Sequence, residues 1–178
     1  MGFLDKLKGT TKSPPRVSTV EILWSWIGAF LAIGLLGWLS TAGLGQTERL
    51  MLIGSFGASA VLLYGAPKSP LAQPRNVIGG HVLSALIGVA SYKLLRGEPW
   101  LASAMAVSTA IAIMHLTRTL HPPGGATALI AVIGGERIHH MGFWYALAPV
   151  ATGACIMVMV ALLVNNLSAQ RRYPEFWL

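Results

Sequence analysis

The chain has 178 residues, 54% hydrophobic and only 11% charged, with a formal net charge of +7, where an ordinary soluble domain carries about 25% charged residues. That length allows one domain, and a single cysteine, Cys155, excludes a disulfide framework or a thiolate metal cluster. The positive charge is spread between apolar segments, so nucleic acid is excluded as the expected partner and the lipid bilayer takes its place.

Residues 1–20 form a basic lead. Phe3, Leu4 and Leu7 fall near one helical face with Lys6 and Lys8 beside them, a pattern open to either a short interfacial helix or a frayed tail. Lys6 stands where a myristoylation signal requires Ser or Thr. No small-residue cleavage site follows, so the lead reads as a cytoplasmic segment and not a signal peptide. Six charge-free windows come next: Ile22–Leu44, Leu50–Ala66, Asn76–Tyr92, Pro99–Thr117, Thr119–Gly135 and Ile138–Gln170, of 23, 17, 17, 19, 17 and 33 residues. A membrane helix needs roughly 20 apolar residues, with about 17 as the lower limit. None of the windows shows the regular polar face of a soluble core helix. The expected fold is an all-α membrane protein with a transmembrane domain over 21–170 and a tail at 171–178.

Six crossings with the N-terminus inside place Lys6, Lys8, Lys12, Arg16, Lys68, Arg75, Arg118, Arg171 and Arg172 on the cytoplasmic side. Arg49, Lys93, Arg96 and Arg137 fall outside, a nine-to-four bias in the expected direction. The expected location is a bacterial inner membrane.

The windows differ in kind. The first and last are long, with Trp24, Trp26, Trp38, Trp144 and Tyr145 near their ends as interface anchors. The third and fourth carry small residues at four-residue spacing, Gly80, Ser84, Gly88 and Ala102, Ala106, Ala110, which let helix backbones approach closely. The second and fifth are short and interrupted. At a shift of 68 residues, Gly57-Ala58-Ser59-Ala60 matches Gly125-Ala126-Thr127-Ala128, each in the middle of a group of three windows. Three crossings per repeat would leave the second repeat inverted, and transporters built so place their sites at paired, broken helices. A 3+3 inverted repeat is therefore expected. Such a bundle is thin, and a homo-oligomer is expected with it.

The fifth window opens with "HPPGG", residues His121–Gly125. Proline is favoured in the first turn of a helix because its missing N–H has no partner there anyway. A helix from Pro122 or Pro123 to Ile133 would be roughly 16–18 Å long, about half a bilayer. Its N-terminus, loosened by Gly124 and Gly125, is expected to present unpaired amides and the positive dipole end to a small anion.

Polar groups in or beside the windows are Ser55, Ser59, Gln73, Arg75, Asn76, His81, His115, Arg118, His121 and Thr127. Ionisable groups at membrane depth are functional candidates by default. The bland alternatives are anchors for Arg75 and Arg118, a backbone-bonded histidine for His81, and hydroxyls bonded to a preceding carbonyl for Ser59 and Thr127. His139 and His140 read as solvated loop residues. The candidate substrate site comprises Ser55, Gly57, Ser59, Arg75, Asn76, His81, Arg118, His121, Pro122, Pro123, Gly124, Gly125 and Thr127. No HExxH occurs and every carboxylate falls outside the windows, so neither a metal, a cofactor nor an enzymatic activity is expected.

"SFGASAVLLYGAPKSPLAQPRNVIGGH" (Ser55–His81) together with "HPPGGATAL" (His121–Leu129) resembles the HPP family of integral membrane proteins, over most of the chain from Trp24 to Asn165. His121, Pro122 and Pro123 match the naming motif; Gln73, Pro74, Arg75 and Asn76 match a second characteristic stretch. The resemblance implies four or more transmembrane helices, so two of the six windows would be re-entrant on the lower count. It also implies transport of a small inorganic anion, nitrite foremost, because some members are associated with nitrite transport. The residues alone do not separate nitrite from nitrate, formate or chloride. Two other classes stay open: a membrane scaffold without a pathway, and an intramembrane serine hydrolase using Ser59 with His81 as base.

Overall fold

The structure, a computed structural model, describes residues 2–7, 11–42 and 53–178. The described residues form a helical bundle: α1 Phe3–Lys6, α2 Thr19–Ala42, α3 Gly54–Ala60 continuing into a widened turn Val61–Gly65, α4 Pro74–Leu94, α5 Pro99–Leu116, α6 Pro122–Ile133, α7 Glu136–Met141 and α8 Thr152–Leu167. A short 3-10 turn, Pro70–Ala72, precedes α4, and a helical segment Ala146–Ala151 leads into α8.

The helix starts follow local chemistry. Ser18 accepts the Glu21 N–H at 3.2 Å and caps α2. Helices α4, α5 and α6 each begin on proline, at Pro74, Pro99 and Pro122. Helix α5 stops in a Schellman turn: Thr119 N–H reaches Met114 O at 2.8 Å and Arg118 N–H reaches His115 O at 3.2 Å. Arg118 sits at the left-handed position of that turn, φ 57°, where glycine is usual. The segment before α8 breaks at Ala148 (φ −134°, ψ 122°), because a residue ahead of proline is pushed out of the helical region.

Among the described residues, four helical stretches are long and apolar enough to cross a membrane: Thr19–Thr41, Pro74–Leu94, Pro99–Leu116 and Ala146–Leu167. A shorter apolar helix, Pro122–Ile133, accompanies them. The fifth window shortens to the 12 residues of α6, since Thr119–His121 runs extended before it and Gly134 ends it. The second window holds Gly54–Ala60 and Val61–Gly65, a similar length, and its first residues lie outside the described part. At 1.5 Å per residue each short helix reaches about 18 Å, against roughly 30 Å of hydrocarbon.

Helix α4 is central, packing on α5, α6, α8 and the Ala146–Ala151 segment. Its small-residue face, Gly80, Ser84 and Gly88, is buried, as are Ala102, Ala106 and Ala110 of α5. The closest approach is at Gly88, where an added Cβ would stand 2.4 Å from Ala128 O of α6. Glycine there is what lets the two backbones touch.

The C-terminal residues are pinned down. Arg171 pairs with Glu21 at 2.7 Å and donates to Asn165 Oδ1 at 2.9 Å and Ser25 Oγ at 2.8 Å. Tyr173 donates to Ala72 O at 2.8 Å, and burial raises its phenol above the ordinary range. The Glu175 N–H donates to Gln73 Oε1 at 2.8 Å. The chain after α8 thus clamps the Pro70–Gln73 strip.

One interface anchor and one loop histidine need revision. Trp26, Trp38 and Trp144 are exposed as expected, but Tyr145 is fully buried in the core. His139 is not simply solvated: its ring stacks on Tyr92 with centroids 3.7 Å apart, and its Nε2–H donates to Val132 O at 2.8 Å.

The Gly88 contact yields a paired test. Gly88→Ala should lower thermal stability by about 1–3 kcal/mol through overpacking against a backbone that cannot yield. Gly57→Ala, on an open helix face with no atom within 4 Å of the new Cβ, should be neutral or slightly stabilising. Thermal unfolding of both variants in the same detergent checks the ordering.

Candidate functional site

The two short helices and α4 converge on one buried polar cluster. Ser55 and Ser59 come from α3, His81 from α4, and His121 and Thr127 from the start and middle of α6. Ser59, His81, His121 and Thr127 are 0% exposed, and Ser55 is 1% exposed. His81 is the eighth residue of α4, so it lies roughly 10 Å along that helix, at hydrocarbon depth for a spanning segment.

Ser59 Oγ stands 2.7 Å from His81 Nε2 and 2.8 Å from His121 Nε2. The other nitrogen of His81 lies 2.7 Å from Thr127 Oγ1, and Thr127 donates to Ser55 Oγ at 2.8 Å. His121 Nδ1 lies 2.8 Å from Leu71 O, in the strip that Tyr173 and Glu175 clamp. The helical hydroxyl bonds back to preceding carbonyls exist but are longer, 3.2 Å for Ser59 to Ser55 O and 3.4 Å for Thr127 to Pro123 O. The Phe56 ring meets His81 edge-on at 5.3 Å, and Tyr145 reaches Thr127 O at 3.4 Å. The cluster is fully buried, with the Phe56 ring packed against it.

Around it stand the residues of the second stretch. Arg75 is half-buried and donates to Thr117 O at 2.8 Å; Asn76 donates to Leu120 O at 2.9 Å. Together they tie the start of α4 to the α5–α6 connection. Asn76 Oδ1 is left buried without a partner among the described residues. Gln73 donates to Pro67 O at 3.0 Å and Ser69 O at 2.7 Å, which folds the strip against α4.

Not every candidate joins the cluster. Gly57 and Pro122 are exposed, and Gly125 is only half-buried, its nearest neighbour being Val107 of α5. Pro123 is buried. Gly124 is buried too, but its work is packing: a Cβ there would stand 2.8 Å from Ser84 Oγ and 2.9 Å from Gly80 O. Arg118 is exposed at the end of α5 and does not join the buried cluster. The expected free amides at the α6 entrance are missing as well. Pro122 and Pro123 have no N–H, and Gly124 N–H donates to His121 O at 2.8 Å. Donors to a ligand must come from side chains.

Sequence reasoning missed the Leu71 carbonyl, Phe56 and Tyr145. Tyr145 adjoins Trp144 and was grouped with it by type. A backbone carbonyl in a proline-rich loop carries no residue-type signal at all.

The transmembrane region of the HPP family matches residues 14–174 of the chain. The chain is also 47% identical over 178 residues to a transmembrane protein of Dictyostelium discoideum, covering 98% of this chain and 57% of the relative. A second transmembrane protein of the same organism is 45% identical over 172 residues, covering 95% of this chain and 60% of the relative. The chain thus spans about three-fifths of the length of these relatives. No solved structure matches it. With nearly its whole length matched and its buried histidine joined to the two prolines that open α6, the chain belongs to the HPP family of integral membrane proteins.

Proposed function

We propose that this chain forms a pathway for a small inorganic anion, nitrite foremost, with Ser59, His81, His121 and Thr127 as the selective point. The carrying observation is the cluster itself: polar and ionisable side chains buried at hydrocarbon depth between two helices too short to cross. Such groups are expensive in a membrane, and a pathway is the usual reason to keep them. Hydroxyl and imidazole N–H groups are donors suited to a compact anion. No carboxylate contacts the cluster among the described residues. Arg75, tied to Thr117 O, supplies a fixed positive charge on α4, six residues before His81.

The proposal includes the inverted repeat. Ser59 and Thr127 occupy matching positions in the Gly-Ala-Ser/Thr-Ala stretches, and they hold opposite nitrogens of the one His81 ring. It also includes a cytoplasmic N-terminus. The Arg171–Glu21 pair and the Tyr173–Ala72 bond gather the basic ends of α2, α4 and α8 on one face, which the positive-inside rule assigns to the cytoplasm.

One observation favours a second reading, a serine hydrolase: Ser59 does lie 2.7 Å from His81 Nε2. Against it, a second histidine occupies the same oxygen at 2.8 Å, and Ser59 is fully buried. Labelling of Ser59 in the purified chain by a fluorophosphonate would favour the hydrolase; the transport reading expects none.

Purified protein in liposomes should pass nitrite, with nitrate, formate and chloride as comparisons. Ser59→Ala and Thr127→Val should each cut the flux roughly tenfold or more, since a hydrogen bond to a charged group is worth about 1.5–3 kcal/mol. Both variants should still elute as the wild type does. Absence of flux in the wild type would leave the scaffold reading, and unchanged flux in both variants would move the site elsewhere.

A further inference from the structure

The cluster admits two hydrogen-bond patterns that differ by one proton. Leu71 O only accepts, so His121 Nδ1 carries a hydrogen. Where Thr127 gives its hydroxyl hydrogen to Ser55 Oγ it meets His81 Nδ1 with lone pairs, and that nitrogen then carries a hydrogen too. In a neutral imidazole the second nitrogen is then a bare acceptor. Both bare nitrogens, His81 Nε2 and His121 Nε2, stand on the single oxygen of Ser59, at 2.7 and 2.8 Å. Ser59 has one hydrogen to give. With both rings neutral and the Thr127 hydrogen on Ser55, one of these contacts sets lone pair against lone pair.

We infer that the His81–Ser59–His121 bridge is a binding site for one exchangeable proton, shared between the two rings. A proton delivered by hydronium forms an N–H bond at His121 Nε2 and leaves neutral water behind. That N–H donates to Ser59 Oγ, the Ser59 hydroxyl donates to His81 Nε2, and no contact is left repulsive. A second complete pattern exists without the extra proton. In it Ser55 donates to Thr127, Thr127 to His81 Nδ1, His81 Nε2–H to Ser59, and Ser59 to His121 Nε2. The two patterns differ by the one proton at His121 Nε2 and by a one-link shift of the hydrogens between it and Ser55.

The groups that face the bridge from each packed element are few. Helix α3 brings Ser55, Ser59 and the apolar ring of Phe56; α6 brings Thr127; the 66–73 loop brings Leu71 O, with Lys68 exposed. The segment before α8 brings Tyr145, bonded to Thr127 O. Helix α4 adds Arg75, directed to Thr117 O. Apart from the two imidazoles themselves, whose centroids are 4.9 Å apart, the titratable group among these contacts is Tyr145. A lone cation in such surroundings is costly, and a monovalent anion beside the protonated bridge cancels its charge. That coupling of one proton to one anion rests on the anion reading; the shared proton does not.

The test is ¹⁵N NMR of the full chain in phospholipid nanodiscs, with both histidine ring nitrogens labelled, between about pH 8 and about pH 4. Resonances are assigned with His81→Gln and His121→Gln, and exposed His115 and His140 serve as internal references. The expected result is one transition seen at both rings, taking up one proton for the pair. Ser59→Ala should uncouple the rings, and Ser59→Thr should restore the shared transition. Two independent one-proton transitions in the wild type, or no uptake at either ring, would overturn the inference, as would wild-type behaviour in Ser59→Ala. A chain that shares the proton but carries no anion in liposomes keeps this inference and loses the anion reading. A chain that carries anions while its rings titrate independently does the reverse.

Discussion

Inside hydrocarbon an unpaired polar atom finds no water, and Ser55, Ser59, His81, His121 and Thr127 meet that constraint only as a set. Each closes a bond that another would leave open. The set spans three helices, so pairing these atoms also dictates how α3, α4 and α6 sit against one another. His81 in particular is held at both ring nitrogens, by side chains from the two short helices on either side. Removing any one partner leaves a buried donor or acceptor unsatisfied, which costs about 1–3 kcal/mol in a site with nothing else to bond.

The close packing of α4 on α6 follows from the same need. Hydroxyl and imidazole groups reach one another at 2.7–2.8 Å only if the backbones approach closely, and Gly80, Gly88 and Gly124 remove the side chains that would prevent it. On the other side of His121 the Leu71 carbonyl closes the cluster, in a strip braced by Gln73 and clamped by Tyr173. The chain after α8 is therefore connected to the histidines through a short run of hydrogen bonds. A ligand entering from that face would have to displace the strip, the tail or both.

Much of this was legible from residue types and spacing. Charge-free windows marked the apolar helices, four-residue spacing marked the buried faces of α4 and α5, and Ser59, His81, His121 and Thr127 stood out as polar residues where polar residues are rare. The exact length of a helix was not legible, because a window free of charge is longer than the helix inside it: Thr119–His121 lies in the fifth window but outside α6. The left-handed position of Arg118 at the end of α5 was not legible either, since nothing in an arginine announces it. The free amides expected at the α6 entrance were an error of chemistry that the sequence could have corrected, since two prolines in succession supply no N–H. The convergence of two imidazoles on Ser59 joins residues 22 and 62 positions apart, and only the folded chain brings them together.

The central claim is that this cluster moves an anion together with its proton. The most direct measurement follows nitrite uptake and internal pH at the same time, in liposomes containing the purified chain and in protein-free liposomes as the reference. The account predicts protein-dependent acidification that tracks nitrite entry at about one proton per anion, both lost together in Ser59→Ala. Nitrite entry with no protein-dependent change in internal pH would contradict it.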